Sequence, residues 1–168
     1  MVCQRAQNIL EEMIRQFARA GIPIPLGQID SQLYFSRSST RMGSCRKERG
    51  VYRISLSVHI LEDEETVRNT IAHELVHTCR GCMNHGVSFQ RIGRQVEGKL
   101  GIPVRSKASQ EESERSGIKD AYIKKARYRI SCRSCGAVLY RQKKSALVMN
   151  PGRYRCGKCG GGLSVEAL

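Results

Sequence analysis

No apolar run in these 168 residues approaches the roughly eighteen that a membrane helix needs. The opening stretch "MVCQRAQNILEEMIRQF" interleaves charges with apolar side chains, so neither a membrane span nor a secretory signal is expected. The expected compartment is therefore the cytoplasm, with nucleoid association possible there, or the nucleus in a eukaryote. No internal repeat is visible, and no low-complexity tract exceeds "GGG" at 160–162, which excludes a repeat array. Acid is scarce in one region above all. From Ala121 to Leu168 eleven lysines and arginines face a single acid, Glu166, whereas the first 120 residues carry eighteen basic groups against fourteen acidic ones. A polyanion is the natural partner for that basic end.

Eight cysteines are present, and six of them fall in Cys-x-x-Cys pairs: Cys79/Cys82, Cys132/Cys135 and Cys156/Cys159. In a reducing compartment such pairs read as metal ligands before they read as disulfides. The length suits one domain of ordinary size with a small appendage. Apolar positions Ala6, Ile9, Leu10, Met13, Ile14, Phe17 and Ala18 recur at three- and four-residue steps and predict an amphipathic helix, which "GIPIP" ends. Between Ser31 and Leu61 about three short β-rich segments, "QLYFS", "RMGSCR" and "GVYRISLSVHIL", predict a small antiparallel sheet. "EDEETVRNTIAHELVHTCRG" predicts a helix with acids in its first turn and Gly81 as its stop, and a further helix is expected from Val87 to Leu100. "RSKASQEESERSGIKD" has almost nothing apolar to bury and reads as a linker, partly helical or disordered.

The stretch "HELVHTCRGCMNHG", residues 73–86, carries two metal-binding patterns at once. On a helix each residue turns about 100°, so His77 lies about 40° from His73, on one face and one turn along. Two imidazoles at that spacing can reach one ion. Glu74, offset by about 100°, is too far round to be an equal ligand and is placed to take a proton from water, the logic of zinc metalloproteases. Cys79 points away from the histidines into apolar neighbours, and a mixed site with Cys79 and Cys82 would require the helix to unwind after His77. A catalytic zinc needs a third protein ligand, and His85, past the helix stop and followed by Gly86, is the best candidate. His59 is expected to be structural, at a strand end. A metzincin would need Gly at 80 and His at 83, where Arg80 and Met83 stand. For Cys79 and Cys82 the expected order of roles is core packing and loop support, then a reversible disulfide that would shift His85, then an additional metal.

With "MGSC", "YRISLS", "HELVH" and, after a gap of seven residues, "HGVSF" in place of His-Gly-x-x-Phe, the chain resembles the SprT-like zinc metallopeptidases. The resemblance covers roughly residues 1–103. It implies a zincin-like fold, His73, His77 and His85 as zinc ligands, Glu74 as catalytic acid/base, and cleavage of DNA-bound or DNA-crosslinked proteins. The "CRGC" insertion is not part of the family's minimal pattern, so the resemblance assigns Cys79 and Cys82 no role.

"CRSC" at 132–135 and "CGKC" at 156–159, twenty residues apart, have the spacing of a four-cysteine zinc ribbon, and each pair precedes Gly. Four thiolates leave no open position, so this zinc is expected to be structural. Four of the six tyrosines lie in this module, three beside arginine. Arg127, Tyr128, Arg129, Arg133, Arg141, Lys143, Lys144, Arg153, Arg155 and Lys158 are the expected nucleic-acid contacts. The expected fold is thus α+β: a metallopeptidase domain of helices and a small sheet over 1–103, a polar linker over 104–120, and a small β ribbon over 121–168. The expected function is a zinc endopeptidase with one catalytic and one structural Zn2+, acting on DNA-associated proteins. The alternative is a non-catalytic nucleic-acid-binding adaptor with a peptidase-like scaffold.

Overall fold

The computed structural model describes residues 1–107 and 109–168, with the side chain of Gln110 left out. The chain divides into two compact units, Met1–Lys119 and Asp120–Leu168. Of the segment expected as a linker, Ala108 lies outside the described residues.

In the first unit, helix α1 (Val2–Arg19) buries Ala6, Ile9, Leu10, Met13 and Phe17, the stripe its periodicity predicts. Strands β1 (Ile29–Ser36), β2 (Gly43–Glu48) and β3 (Val51–Ser57) follow, then helix α2 (Glu64–Thr78) and helix α3 (Val87–Leu100). Ile54 and Leu56 of β3, Ile71 and Leu75 of α2, and Phe89 and Val96 of α3 join the α1 stripe in one core. Each fully buried side chain of this size contributes about 1.5–3 kcal/mol.

The sheet corrects the expectation of an antiparallel one. Its order is β1-β3-β2, with β2 antiparallel to β3 and β1 parallel to it. The chain reverses twice between β1 and β3, once in the 37–42 crossover and once in the turn at Arg49–Gly50, so β3 must run with β1. The crossover is tied down where Ser57 N–H donates to the Met42 carbonyl at 2.7 Å and Ser57 Oγ donates to the Ser38 carbonyl at 2.6 Å. Helix α2 also ends earlier than Gly81. Thr78 Oγ1 turns back to donate to the Leu75 carbonyl at 2.7 Å, and the backbone leaves the helix at Cys79, whose ψ is 149°. Gly81 takes the left-handed conformation, φ 75°, in the turn that follows.

Part of the polar stretch after α3 is ordered helix. Helix α4 (Gln110–Arg115) starts at a capping box in which Ser109 and Glu112 satisfy each other's backbone N–H groups. It is fastened to α2 by charged pairs in place of apolar area: Arg115 Nε lies 2.6 Å from Asp63 Oδ2 and Arg115 Nη2 lies 3.2 Å from Glu65 Oε2.

Helix α5 (Ile118–Lys124) begins in the first unit and ends in the second. The second unit is a three-stranded antiparallel sheet in the order β5-β4-β6, formed by β4 (Tyr128–Cys132), β5 (Val138–Arg141) and β6 (Leu163–Ala167). A single helical turn, α6 (Ala146–Met149), lies between β5 and β6. Its core is small: Ile130, Cys132, Val148, Cys156 and Leu163. Among the described residues no helix is long and apolar enough to cross a membrane.

Candidate metal centre

Helix α2 presents His73 and His77 one turn apart, and the loop after Gly81 returns His85 to the same point. His77 Nε2 lies 3.1 Å and His85 Nε2 3.0 Å from His73 Nε2. Tetrahedral coordination with metal–nitrogen bonds near 2.0–2.1 Å places ligand nitrogens about 3.3 Å apart, so the convergence suits one zinc ion. The far side of two rings fixes their tautomers. His73 Nδ1 donates to the Arg105 carbonyl at 2.8 Å and His77 Nδ1 donates to the Cys82 carbonyl at 2.6 Å. Each ring then has its proton on Nδ1 and a bare lone pair on Nε2. The Nε2 lone pairs of His73 and His77, facing each other at 3.1 Å, repel unless a cation lies between them. Burial, helped by the two neighbouring imidazoles, pushes His73 down to about 4, and burial lowers His77. Both shifts favour the neutral imidazole, the form that ligates.

Phe89, 1% exposed, forms the floor of this cluster. Its ring centroid is 4.9, 4.7 and 4.8 Å from those of His73, His77 and His85. The apolar floor restricts each imidazole to the approach it has. Its helical spacing marks Phe89 as a core position of α3 and "HGVSF" ends on it, but neither pattern encodes its contact with all three rings.

Glu74 is buried beside them, 5% exposed. Burial pushes its carboxyl up to about 8, against the Cys45 backbone N–H, which hydrogen-bonds it and pulls the other way. A dication in the histidine cluster would pull it down again. Strand β2 reaches Glu74 because residue 43 has no side chain. A Cβ there would sit 2.6 Å from Thr70 Cγ2 and 2.9 Å from Glu74 Oε1. "MGSC" is therefore the stretch of strand that approaches the carboxylate and hydrogen-bonds it, a role that its reading as a β segment did not reveal.

Cys79 and Cys82 are 2% and 0% exposed and belong to the core. Burial, with the neighbouring Cys82 adding to it, pushes the Cys79 thiol up to about 12, and burial raises Cys82. Protonated thiols are poor ligands and poor nucleophiles. Among the described residues the ligand cluster here contains the three histidines and no cysteine. Cys82 contributes its carbonyl instead. His59 lies outside the cluster, in the 3-10 turn after β3, with its Nε2 buried and without a hydrogen-bond partner among the described residues.

In the second unit the four ribbon cysteines gather. Cys132 Sγ is 3.5 Å from Cys159 Sγ, and Cys135 Sγ is 3.7 Å from Cys156 Sγ. Zinc–sulfur bonds of 2.3 Å imply about 3.8 Å between tetrahedral sulfurs, so this set also suits zinc. Backbone N–H groups of Cys135 and Ser134 hold Cys132 down at about 6, and those of Lys158 and Cys159 lower Cys156. Cys159 receives the Gly161 N–H but is pushed up to about 12 by the neighbouring thiols. The shifts oppose each other because backbone N–H groups favour the thiolate at Cys132 and Cys156 while the crowding of four thiols disfavours a further thiolate at Cys159.

Around these cysteines Arg127, Arg129, Arg133, Lys143, Lys144, Arg153, Arg155 and Lys158 are exposed, and Arg141 is half-buried. Arg133 and Lys158 occupy the two Cys-x-x-Cys turns. Tyr128 packs, half-buried, against the ribbon core. Arg129 stands on β4 between Tyr140 and Glu166, with 3.7 Å between Nη1 and the Glu166 carboxylate.

A family model described as the SprT-like family matches residues 7–108. A curated relative, "Protein SprT-like" from Lactococcus lactis subsp. lactis (strain IL1403), is 32% identical over 111 residues, which is 63% of this chain. The aligned region spans 60% of that relative's length.

Proposed function

Because the chain belongs to the SprT-like family and converges three imidazole nitrogens beside a buried carboxylate, we propose that it is a zinc-dependent endopeptidase acting on DNA-associated or DNA-crosslinked proteins. The observation that carries the reading is the set of contacts at 3.0 and 3.1 Å among the Nε2 atoms of His73, His77 and His85. Zinc bound there would polarise the substrate carbonyl and acidify water, as it does in other sites with three protein ligands. Glu74, oriented by the Cys45 N–H, takes a proton from the attacking water and later delivers it to the leaving amine. His73 and His77 keep Nε2 free for the metal because the carbonyls of Arg105 and Cys82 hold their Nδ1 protons. Phe89 excludes water from beneath the rings. In the ribbon the role of the zinc is structural, and the exposed basic side chains around it supply the contact with nucleic acid.

The test is incubation with a protein crosslinked to DNA, comparing wild type with Glu74→Gln. Loss of the Glu74 carboxylate is expected to slow cleavage by about 10²–10⁴-fold, the usual contribution of a general acid/base. Cleavage that the substitution leaves unchanged sinks the mechanism. DNA binding by the wild type without turnover of any unfolded protein favours the adaptor.

A further inference from the structure

Two backbone carbonyls hold imidazole protons at the histidine cluster, and they differ in what holds them in turn. Cys82 sits in the turn that directly follows α2. Arg105 lies thirty-two residues beyond His73 and has to be brought back to it. The route is explicit. Gly101 ends α3 in the left-handed conformation, φ 68°, and turns the chain. Ile102 is then buried, and Val104 seats directly over Gly93 of α3, whose missing side chain makes the room. A Cβ on Gly93 would stand 3.2 Å from the Val104 carbonyl oxygen and 3.3 Å from its Cβ and Cγ1. The next residue is Arg105. Beyond it the chain is fastened again, and to the same helix that carries His73. Glu112 Oε1 accepts from Asn69 Nδ2 at 2.9 Å, one helical turn before His73, and Arg115 pairs with Asp63 and Glu65 at the start of α2. The segment is thus pinned on both sides of the one carbonyl that fixes the His73 tautomer.

We propose that this segment is a positioning element for the metal centre. The seat of Val104 on Gly93 and the clamp of α4 on α2 hold the Arg105 carbonyl against His73 Nδ1 and thereby set the zinc affinity of the three-histidine site. None of these residues belongs to the three-histidine cluster; Gly93, Val104, Asn69, Glu112 and Arg115 act through His73. The inference rests on the zinc reading above, and its readout is metal affinity, independent of peptide cleavage.

The experiment uses the full chain and titrates zinc against a chromophoric chelator. It compares wild type, Gly93→Ala and the double variant Asn69→Ala/Arg115→Ala, with the ribbon zinc as reference within each molecule. Losing the partner of a ligating histidine typically weakens metal binding by 10–100-fold, so Gly93→Ala is expected to lower the affinity of the histidine site by about tenfold. The double variant is expected to lower it several-fold, and the ribbon zinc should stay as tight as in wild type. Adding Val104→Ala to Gly93→Ala removes the Cγ1 contact and is expected to restore part of the loss. The double variant alters polar side chains outside the hydrophobic core, so the test survives if Gly93→Ala fails to fold. Two zincs per chain with wild-type affinity in both variants overturns the inference and leaves the zinc reading standing. A wild type that binds the ribbon zinc alone overturns both.

Discussion

At Gly43 a single missing methyl group allows strand and helix to meet. The strand that delivers the Cys45 N–H to Glu74 can do so only while position 43 lacks a Cβ, because the nearest atoms would lie 2.6 to 3.0 Å away. Gly43→Ala should therefore displace the carboxylate and spare the histidines. We expect a fall in peptidase turnover of about 10²-fold, since displacements near 1 Å cost that much, with zinc content by metal analysis equal to wild type. Loss of zinc together with activity would refute this role. The buried cysteines make the opposite prediction. Replacing Cys79 and Cys82 by alanine should leave two zincs per chain and lower stability by about 1 kcal/mol per site, read from thermal melts. A third zinc in wild type that the double variant lacks would contradict their place in the core. Of this site the sequence displayed the three histidines that converge and the carboxylate beside them, because those residue types are distinctive and the spacing of His73 and His77 repeats the helix period. It could not display the Cys45 N–H or the carbonyls of Cys82 and Arg105, since every residue type carries those groups.

Helices that bury an apolar stripe were legible over nearly their whole length, as α1 and α3 illustrate. Where polar groups ended or fastened an element, the periodicity was silent. Helix α2 stops at Thr78 because a hydroxyl turns back on its carbonyl. Strand direction in the sheet depends on how many times the chain reverses, which no alternation of side chains records. The segment that looked too polar to pack docks α4 through charge. Burial alone would raise Asp63, but the hydrogen bonds from Thr66 and Arg115 outweigh it and hold its carboxyl below the ordinary range. A carboxyl depressed in the folded state adds stability above its unfolded pKa, near 4, and that stability is lost as pH falls through the folded value. The difference in stability between wild type and Asp63→Asn should persist at pH 7 and close progressively below about pH 4. An unchanged difference at pH 2 would show that the clamp is not ionic. Arg115→Ala, at a partner nearly half exposed, should cost only about 0.5–1 kcal/mol.

For the molecule as a whole, composition was informative about charge, and the described surface of the second unit bears most of its basic groups outward. If those groups meet phosphates, affinity for DNA should fall linearly on a log–log plot against salt. Lys143→Ala/Lys144→Ala should reduce the magnitude of that slope by about 2, measured by fluorescence anisotropy. A slope unchanged by the substitution would place the contact elsewhere. The two carbonyls behind His73 and His77 also have a consequence for heredity. Any amino acid at positions 82 and 105 supplies the same oxygen, so a saturation scan for metal content should score position 105 as tolerant of most residues. Position 93 has no such latitude, because only glycine leaves the space that Val104 fills. A gene under selection for this centre would then drift at the residue whose oxygen makes the contact and stay fixed at the residue on α3 that never touches the ring.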